Sequence, residues 1–213
     1  MMDSLQRDTR VDDFFDIWAL NGRHQSMENE HSKTAIRFLN TVNFLDSFSF
    51  LDVGCGNGWT VRAMANNPKC AIAVGIDKSP QMIKLARSTS TSKKETYMHT
   101  DIESYKGDLF DYVFSMESMY YAKSVADAVK AVWHILKPGG MFLCGTDYYA
   151  ENHDTIRWQD SMKIHLHLLS RYQWKKIFKD AGFKVKTRRI CSPNDDLMWR
   201  RTMGTLFISG TKM

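Results

Sequence analysis

Residues 51–59 read LDVGCGNGW, and this stretch decides how the chain folds. It continues an apolar run, places the acid Asp52 before a set of alternating glycines, and leads into a segment with helical periodicity. The glycines are Gly54, Gly56 and Gly58. The apolar run is typical of a buried strand, and glycines let the backbone turn sharply and let a ligand approach closely. A helix start directly after them offers free N–H groups to an electronegative part of that ligand.

The spacing of these glycines distinguishes between ligands. A dinucleotide fingerprint has the pattern G-x-G-x-x-G, whereas residues 54–58 have G-x-G-x-G, with the third glycine one residue early. A second acid, Asp77, ends the next predicted strand, 19 residues after Gly58. A carboxylate at that place can accept hydrogen bonds from both hydroxyls of a ribose. The pattern disfavours NAD and indicates another ribose-containing ligand.

Strands and helices alternate along the rest of the chain. Periodicity predicts strands at 49–54, 71–76, 96–98, 110–115, 140–146, 183–190 and 205–211. It predicts helices at 11–20 and 26–40, and near 58–66, 80–88, 124–136 and 171–181. We therefore expect an α/β fold with a doubly wound, mostly parallel seven-stranded sheet and helices on both faces. The last two strands have a short connection and could pair antiparallel.

The length of 213 residues predicts one domain, 1–213. Within it we expect N-terminal helices at 1–44, a ligand-binding core at 45–146, and a C-terminal helix and strands at 170–213. The segment 147–169 is rich in aromatic residues and histidines. Because it follows the fifth strand, where open α/β sheets hold their ligands, we expect it to cover the substrate.

Five segments in order resemble the motifs of class I S-adenosylmethionine-dependent methyltransferases. They are Asp52 to Gly58, Gly75 to Ser79 with Met82, His99 to Ile102, Phe110 to Ser115, and Leu136 to Gly140. The resemblance covers about residues 45–146 and implies a Rossmann-like fold, S-adenosylmethionine as cofactor, and methyl transfer by in-line displacement. The segment NGRHQSMENEH also resembles uncharacterised methyltransferases of this superfamily, and there Arg23 and His31 could close over the cofactor's carboxylate.

The resemblance implies a role for each acid. Asp52 would lie near the methionine ammonium, Asp77 on the ribose and Asp101 at the adenine amino group, with Ile102 and Met82 against the adenine faces. The predicted cofactor-binding residues are Asp52, Gly54, Cys55, Gly56, Asn57, Gly58, Asp77, Lys78, Met82, Asp101, Ile102, Ser115, Glu117 and Arg23.

The methyl acceptor is less well defined than the cofactor. After the fourth strand the sequence lacks the Asn/Asp-Pro-Pro-Tyr of amino-group methylators, the Pro-Cys of cytosine methylators and the paired glutamates of arginine methylators. Glu117, Tyr121 and His153 are the predicted catalytic residues, because they follow strands whose ends face the substrate. We expect no metal, because the four cysteines are scattered and His165 and His167 would point apart.

Three function classes remain open. The first is an enzyme that methylates a small molecule; the second is an RNA methyltransferase using the basic stretch 171–189; the third is a non-catalytic S-adenosylmethionine binder. The net charge of +5 is modest for an RNA enzyme, and the intact glycine loop argues against a mere binder. The chain lacks an apolar run long enough for a membrane span, and its scattered cysteines fit the reducing cytoplasm. The oligomeric state stays open.

Overall fold

The computed structural model describes residues 4–213, with side chains from residue 11 onward, so the first three residues of the predicted segment 1–44 lie outside the described residues. The strands are β1 (Phe48–Val53), β2 (Cys70–Asp77), β3 (Glu95–His99), β4 (Phe110–Met116), β5 (Leu136–Thr146), β6 (Phe183–Ile190) and β7 (Thr205–Lys212). The helices are α1 (Ser4–Leu20), α2 (Arg23–Leu39), α3 (Trp59–Ala65), α4 (Pro80–Ser88), α5 (Val125–Ile135), α6 (Trp158–Met162), α7 (Arg171–Asp180) and α8 (Met198–Thr202), with a 3-10 turn at Met119–Tyr121.

The seven strands form one sheet in the order β3-β2-β1-β4-β5-β7-β6. Strands β1 to β5 pair in parallel, whereas β7 is antiparallel to both β5 and β6. The predicted doubly wound fold and the antiparallel final pair are confirmed. The strand order reverses between β1 and β4, and ligands of open α/β sheets bind outside the strand ends at such a switch point.

Alternate residues of each central strand point to opposite faces, so the sheet has a core on both sides. On β1 and β4, Phe50 and Phe114 belong to one apolar cluster, whereas Leu51 and Val113 belong to the other. This two-sided burial is why the strands appear in the sequence as continuous apolar runs rather than as alternating patterns.

The helices that cover the sheet have distinct start signals. Ser170 forms a capping box with Gln173 at the start of α7, and this helix buries Trp174 and Phe178. Helix α1 ends before Gly22, whose φ of 80° makes the turn into α2. The short helices α6 and α8 were not predicted, because five residues are too few for a periodic pattern.

Helix α1 is tied to the sheet at its ligand-binding end. The Ser79 hydroxyl at the start of α4 donates a hydrogen bond to Asp16 of α1.

Among the described residues, none of the helices has both the length and the apolar character needed to cross a bilayer.

Candidate functional site

A cavity of about 310 Å³ opens at the carboxyl ends of β1, β2, β3 and β4. A volume of this size lies at the lower end of ordinary small-molecule sites. Helices α1 and α2 contribute part of its lining, with Val11, Asp12, Phe15 and Met27. A smaller cavity of about 50 Å³ adjoins it and shares Gly54, Gly56, Met82 and Glu117 with it.

The three glycines after β1 serve different purposes. Gly54 has a φ of 73°, and a Cβ there would lie 2.3 Å from the Cβ of Ser118. Gly58 has a φ of 81°, and a Cβ there would lie 2.6 Å from the Tyr97 ring. Gly56 has a φ of 52°, lines both cavities, and has no atom within 4 Å of its Cβ position. Gly56 therefore leaves room for a ligand. Gly58 lines neither cavity, and its missing Cβ admits the Tyr97 ring.

Asp77 at the end of β2 is held by the backbone. Its carboxylate accepts hydrogen bonds from the N–H of Gly56 and the N–H of Ser79, each at 2.8 Å, and it lines the larger cavity. Burial raises the pKa of Asp77, while the two backbone hydrogen bonds oppose that shift. The strand end thus presents a fixed carboxylate to the cavity, as a ribose-binding acid requires.

Asp52 lies deeper, with 3% of its surface exposed, and lines the smaller cavity beside Asn57 and Cys55. Burial, and then the charge of Asp77, raise the pKa of Asp52 to about 8, while a hydrogen bond with Thr60 opposes the shift. A cationic ligand group near this carboxylate would favour its ionised form. The methionine ammonium of S-adenosylmethionine is such a group.

The far end of the larger cavity suits a flat ring. Met82 and Ile102 are buried and line it, and Asp101 lies beside them with one carboxylate oxygen accepting from the N–H of Ser104 at 2.7 Å. Lys78 also lines the cavity, and its ammonium lies 3.8 Å from the Asp12 carboxylate of α1. Lys78 therefore connects α1 to the strand ends that line the cavity.

Glu117 also lines the larger cavity and lies directly after β4, with a φ of 55°. One carboxylate oxygen accepts from the Tyr120 hydroxyl at 2.9 Å and the other from the backbone N–H of Asp147. Burial and the charge of Asp147 raise the pKa of Glu117, and the charge of His31 opposes this. The His31 Nδ1 atom lies 3.3 Å from a carboxylate oxygen of Asp147, so α2 and the ends of β4 and β5 meet here. Tyr121 lines the cavity nearby.

Besides Gly58, three predicted site residues do not reach either cavity. Arg23 is exposed, and its guanidinium lies 4.9 Å from the centre of the Trp18 ring. Ser115 is fully buried inside β4, with its hydroxyl 2.6 Å from the Ser118 hydroxyl. His153 is exposed in the loop after β5. Their side chains point to the surface or into the sheet instead of toward a ligand.

None of the residues of segment 147–169, which was expected to cover the substrate, lines either cavity. Tyr148 and Tyr149 are buried in the core, and Asn152 and Thr155 donate hydrogen bonds to the Asp147 carbonyl. Its aromatic side chains fill the protein interior, and α1 with α2 provides the lid.

Sequence reasoning missed two parts of the site. Asp147 directly follows β5, and this position at a strand end is the signal that could have identified it. The lid residues Phe15 and Met27 were hidden in an ordinary amphipathic pattern, which predicts a helix but not what the helix covers.

The fold and the three strand-end acids define a class I S-adenosylmethionine-dependent methyltransferase. Residues 16–187 match the methyltransferase domain family, and the chain belongs to this family. The cavity fits the cofactor of this class: Gly56 leaves an open cradle, Asp77 and Asp52 offer acceptors for hydroxyl and ammonium groups, and apolar walls flank Asp101.

Known proteins similar to this chain are methyltransferases with different acceptors. The ubiquinone biosynthesis O-methyltransferase of Roseobacter denitrificans is 36% identical over 100 residues, which are 45% of this chain and 40% of that protein. The sterol 24-C-methyltransferase of Clavispora lusitaniae is 24% identical over 174 residues, 74% of this chain and 46% of that one. The chain therefore spans less than half the length of these two curated relatives.

A solved structure covers nearly the whole chain. It is the Haloferax volcanii complex between the Trm112 methyltransferase activator and a methyltransferase, and it matches with a TM-score of 0.88 and 29% identity. The match covers 92% of this chain and 96% of the other.

Proposed function

We propose that this protein transfers the methyl group of S-adenosylmethionine to a small-molecule acceptor that binds beside Glu117. The observation that carries the proposal is that the cofactor acids Asp77 and Asp101 and the polar side chains of Glu117 and Tyr121 line one cavity. Bound S-adenosylmethionine supplies a methyl group activated on a sulfonium. The residues of this chain fix its ribose and ammonium, exclude water through the lid, and align the acceptor with the methyl group.

The charge at the cavity favours a small acceptor over RNA. Acids in its lining outnumber lysines: they are Asp12, Asp77, Asp101, Glu103 and Glu117, against Lys78 and Lys123. A phosphate backbone would meet like charge there, and proteins that bind nucleic acids instead show basic surfaces. The quinone and sterol pathways named for the two relatives also concern small molecules.

Cofactor binding is tested by calorimetric titration with S-adenosylmethionine, S-adenosylhomocysteine and NAD. We expect the first two ligands to bind and NAD to fail. Replacing Asp77 with Ala removes hydrogen bonds to a charged group, which contribute about 1.5–3 kcal/mol, so affinity should fall about tenfold or more. The matched control is Asp111→Ala: this acid pairs with Lys137 at 2.7 Å at the other end of the sheet and lines neither cavity.

The acceptor is sought by transfer of a labelled methyl group into fractionated cell extract, comparing small metabolites, lipid, protein and RNA. Label in the small-metabolite fraction supports the proposal. Label in RNA alone would replace it with the RNA function, and NAD binding without S-adenosylmethionine binding would remove it.

We also propose that the chain has an activator partner of the Trm112 kind, because the similar Haloferax volcanii methyltransferase chain is part of such a complex. Co-expression with a Trm112 protein should give a co-purifying complex with a higher melting temperature; separate elution would contradict this.

The four free cysteines, Cys55, Cys70, Cys144 and Cys191, support a cytoplasmic location.

A further inference from the structure

A histidine–aspartate pair lies outside the five methyltransferase motifs between Asp52 and Gly140. His31 comes from α2, Glu117 from the end of β4 and Asp147 from the end of β5, and the potential ligand atoms of these three side chains all lie within 4.8 Å of one another. His31 and Glu117 line the smaller cavity, which adjoins the cofactor cavity. His31 therefore reaches the cavity that also holds Asp52, beside the larger cavity, and Asp147 lies behind His31.

Asp147 is clamped in place by its backbone. Its carbonyl oxygen accepts from Asn152 Nδ2 at 2.9 Å and from Thr155 Oγ1 at 3.1 Å, while its N–H donates to Glu117. One carboxylate oxygen faces His31 Nδ1, and the other, Oδ1, is buried without a hydrogen-bond partner. A carboxylate held in this way fixes the imidazole of a neighbouring histidine in one orientation and one tautomer.

We propose that His31 is the general base of methyl transfer, that Asp147 is its positioning residue, and that the acceptor bears a hydroxyl or amine proton. This inference rests on the proposed methyltransferase function. Because Nδ1 faces Asp147, Nε2 is the ring nitrogen left to accept a proton. Glu117 is the weaker choice for a base, because each of its oxygens already accepts a hydrogen bond.

The step balances in atoms and charge. The acceptor heteroatom forms a bond to the methyl carbon, the carbon–sulfur bond breaks with its electron pair on sulfur, and the acceptor proton moves to His31 Nε2. The positive charge of the sulfonium is thereby lost while the imidazole becomes an imidazolium. The carboxylates of Asp147 and Glu117 stabilise that new charge.

The surroundings tune His31 for this task. Burial lowers the pKa of His31, and so does the charge of Arg200. The hydrogen bond and charge of Asp147, followed by the charge of Glu117, outweigh these two effects and raise the pKa of His31 above its ordinary value. Arg200 is itself paired with Glu30 at 3.2 Å and Asp195 at 3.7 Å. On α2 the nearby polar groups are His24 and Glu28, which both contact Asn57. A base with a raised pKa loses activity as the pH falls through that value.

The test compares wild type with His31→Gln, Asp147→Asn and the control His134→Gln, an exposed histidine of α5. Titration with S-adenosylhomocysteine measures cofactor binding, and labelled methyl transfer into the small-metabolite fraction measures turnover from pH 5 to 9. An NMR titration of the His31 ring in the S-adenosylhomocysteine complex measures its pKa without catalysis.

We expect His31→Gln to lower kcat by roughly 10²- to 10⁴-fold with little change in S-adenosylhomocysteine affinity. Asp147→Asn should lower the pKa of His31 in the NMR titration and move the acid limb of kcat/KM to lower pH, which a merely structural role would not do. If His31→Gln does not fold, the NMR comparison of wild type with Asp147→Asn decides.

Two kinds of result would overturn the inference, an absent effect of the variants and a bound metal. One is a His31→Gln enzyme with wild-type kcat and pH profile, or a His31 pKa that Asp147→Asn leaves unchanged. The other is loss of turnover on removal of divalent metal together with broadening of the His31 resonances by Mn²⁺, which would make the cluster a metal site. Failure of the proposed function has a different signature: wild type would bind no S-adenosylhomocysteine and transfer no label to any fraction.

Discussion

The cofactor-facing half of the cavity and the acceptor-facing half are built in different ways. The cofactor half takes its acids, Asp52, Asp77 and Asp101, from the ends of successive strands within short sequence motifs. The acceptor half joins His31, Glu117 and Asp147, which are 86 and 30 residues apart along the chain. Only the folded sheet brings these three together, so the cofactor can be identified from local sequence and the acceptor chemistry cannot.

The two halves also differ in how their carboxylates are satisfied. Asp77 is held by two backbone N–H groups, whereas Asp147 faces the His31 side chain and leaves one oxygen without a partner. Backbone donors persist through most substitutions, but side-chain partners can be exchanged one at a time. The contacts of the acceptor half therefore depend more on the identity of single side chains than those of the cofactor half do.

The largest expected effect tests whether the glycine loop belongs to the cofactor half alone. Gly56→Ala places a methyl group in the cavity, where only a ligand would meet it. Overpacking of this kind costs about 1–3 kcal/mol, so affinity for S-adenosylhomocysteine should fall roughly tenfold to 100-fold while the fold persists. Calorimetry measures the affinity and circular dichroism the fold.

The matched control is Gly139→Ala in β5. Gly139 also has a positive φ, 77°, and an open Cβ position, but it lines neither cavity. Both variants therefore carry the same kind of backbone strain, and only Gly56→Ala should lose the ligand. Equal affinities in the two variants would show that Gly56 does not face the cofactor.

A smaller effect concerns pH and stability in the cofactor half. Asp52 has its pKa raised to about 8 in the folded chain, against about 4 in an unfolded one. The folded state therefore holds the proton more tightly, and the free protein loses stability as the pH rises from about 4 to 8. Asp52→Asn removes this loss. The melting temperature of the variant should therefore rise relative to that of wild type between about pH 4 and 8.

The control variant, Asp111→Asn, should change the stability of the protein in the opposite direction. Burial would raise the pKa of Asp111, but hydrogen bonds from Lys137 and Ser49 lower it. Its ionised form is stabilised by folding, and Asp111→Asn should therefore destabilise the protein at neutral pH and approach wild type only in acid. If Asp52→Asn instead loses stability at pH 8, the Asp52 carboxylate is ionised and paired in the free protein.

The sequence predicted the fold more completely than the site. Every strand was placed within one residue at each end, except that β5 begins at Leu136 instead of 140. Asp77 was predicted from its place at a strand end, whereas the roles of Asp52 and Asp101 followed from the resemblance to the family motifs. Ser115 and His153 could not be assigned correctly, because burial inside β4 and exposure after β5 are properties of packing.

The smallest expected effect concerns the basic stretch 171–189, whose charge is opposite to that of the acidic cavity. In α7, Trp174 and Phe178 face the core, while Lys175 and Lys179 are exposed. This is the ordinary pattern of an amphipathic covering helix. Strand β6 forms the edge of the sheet, and lysines on an edge strand prevent pairing with another chain. Both elements therefore have structural reasons for their charges.

The position of β6 also separates this stretch from the chemistry. Two strands, β5 and β7, lie between β6 and β4, which places β6 about 14 Å from the strand that ends at Glu117. Replacing Lys175, Lys179, Lys184 and Lys186 with Glu should then leave turnover within about threefold, because all four side chains are exposed and exposed charges contribute little. Labelled methyl transfer at two salt concentrations measures the effect. A collapse of turnover that lower salt does not restore, together with lost retention on bulk RNA, would show that the acceptor reaches across this face. The acceptor half would then extend beyond the cavity, and the RNA function would be the better one.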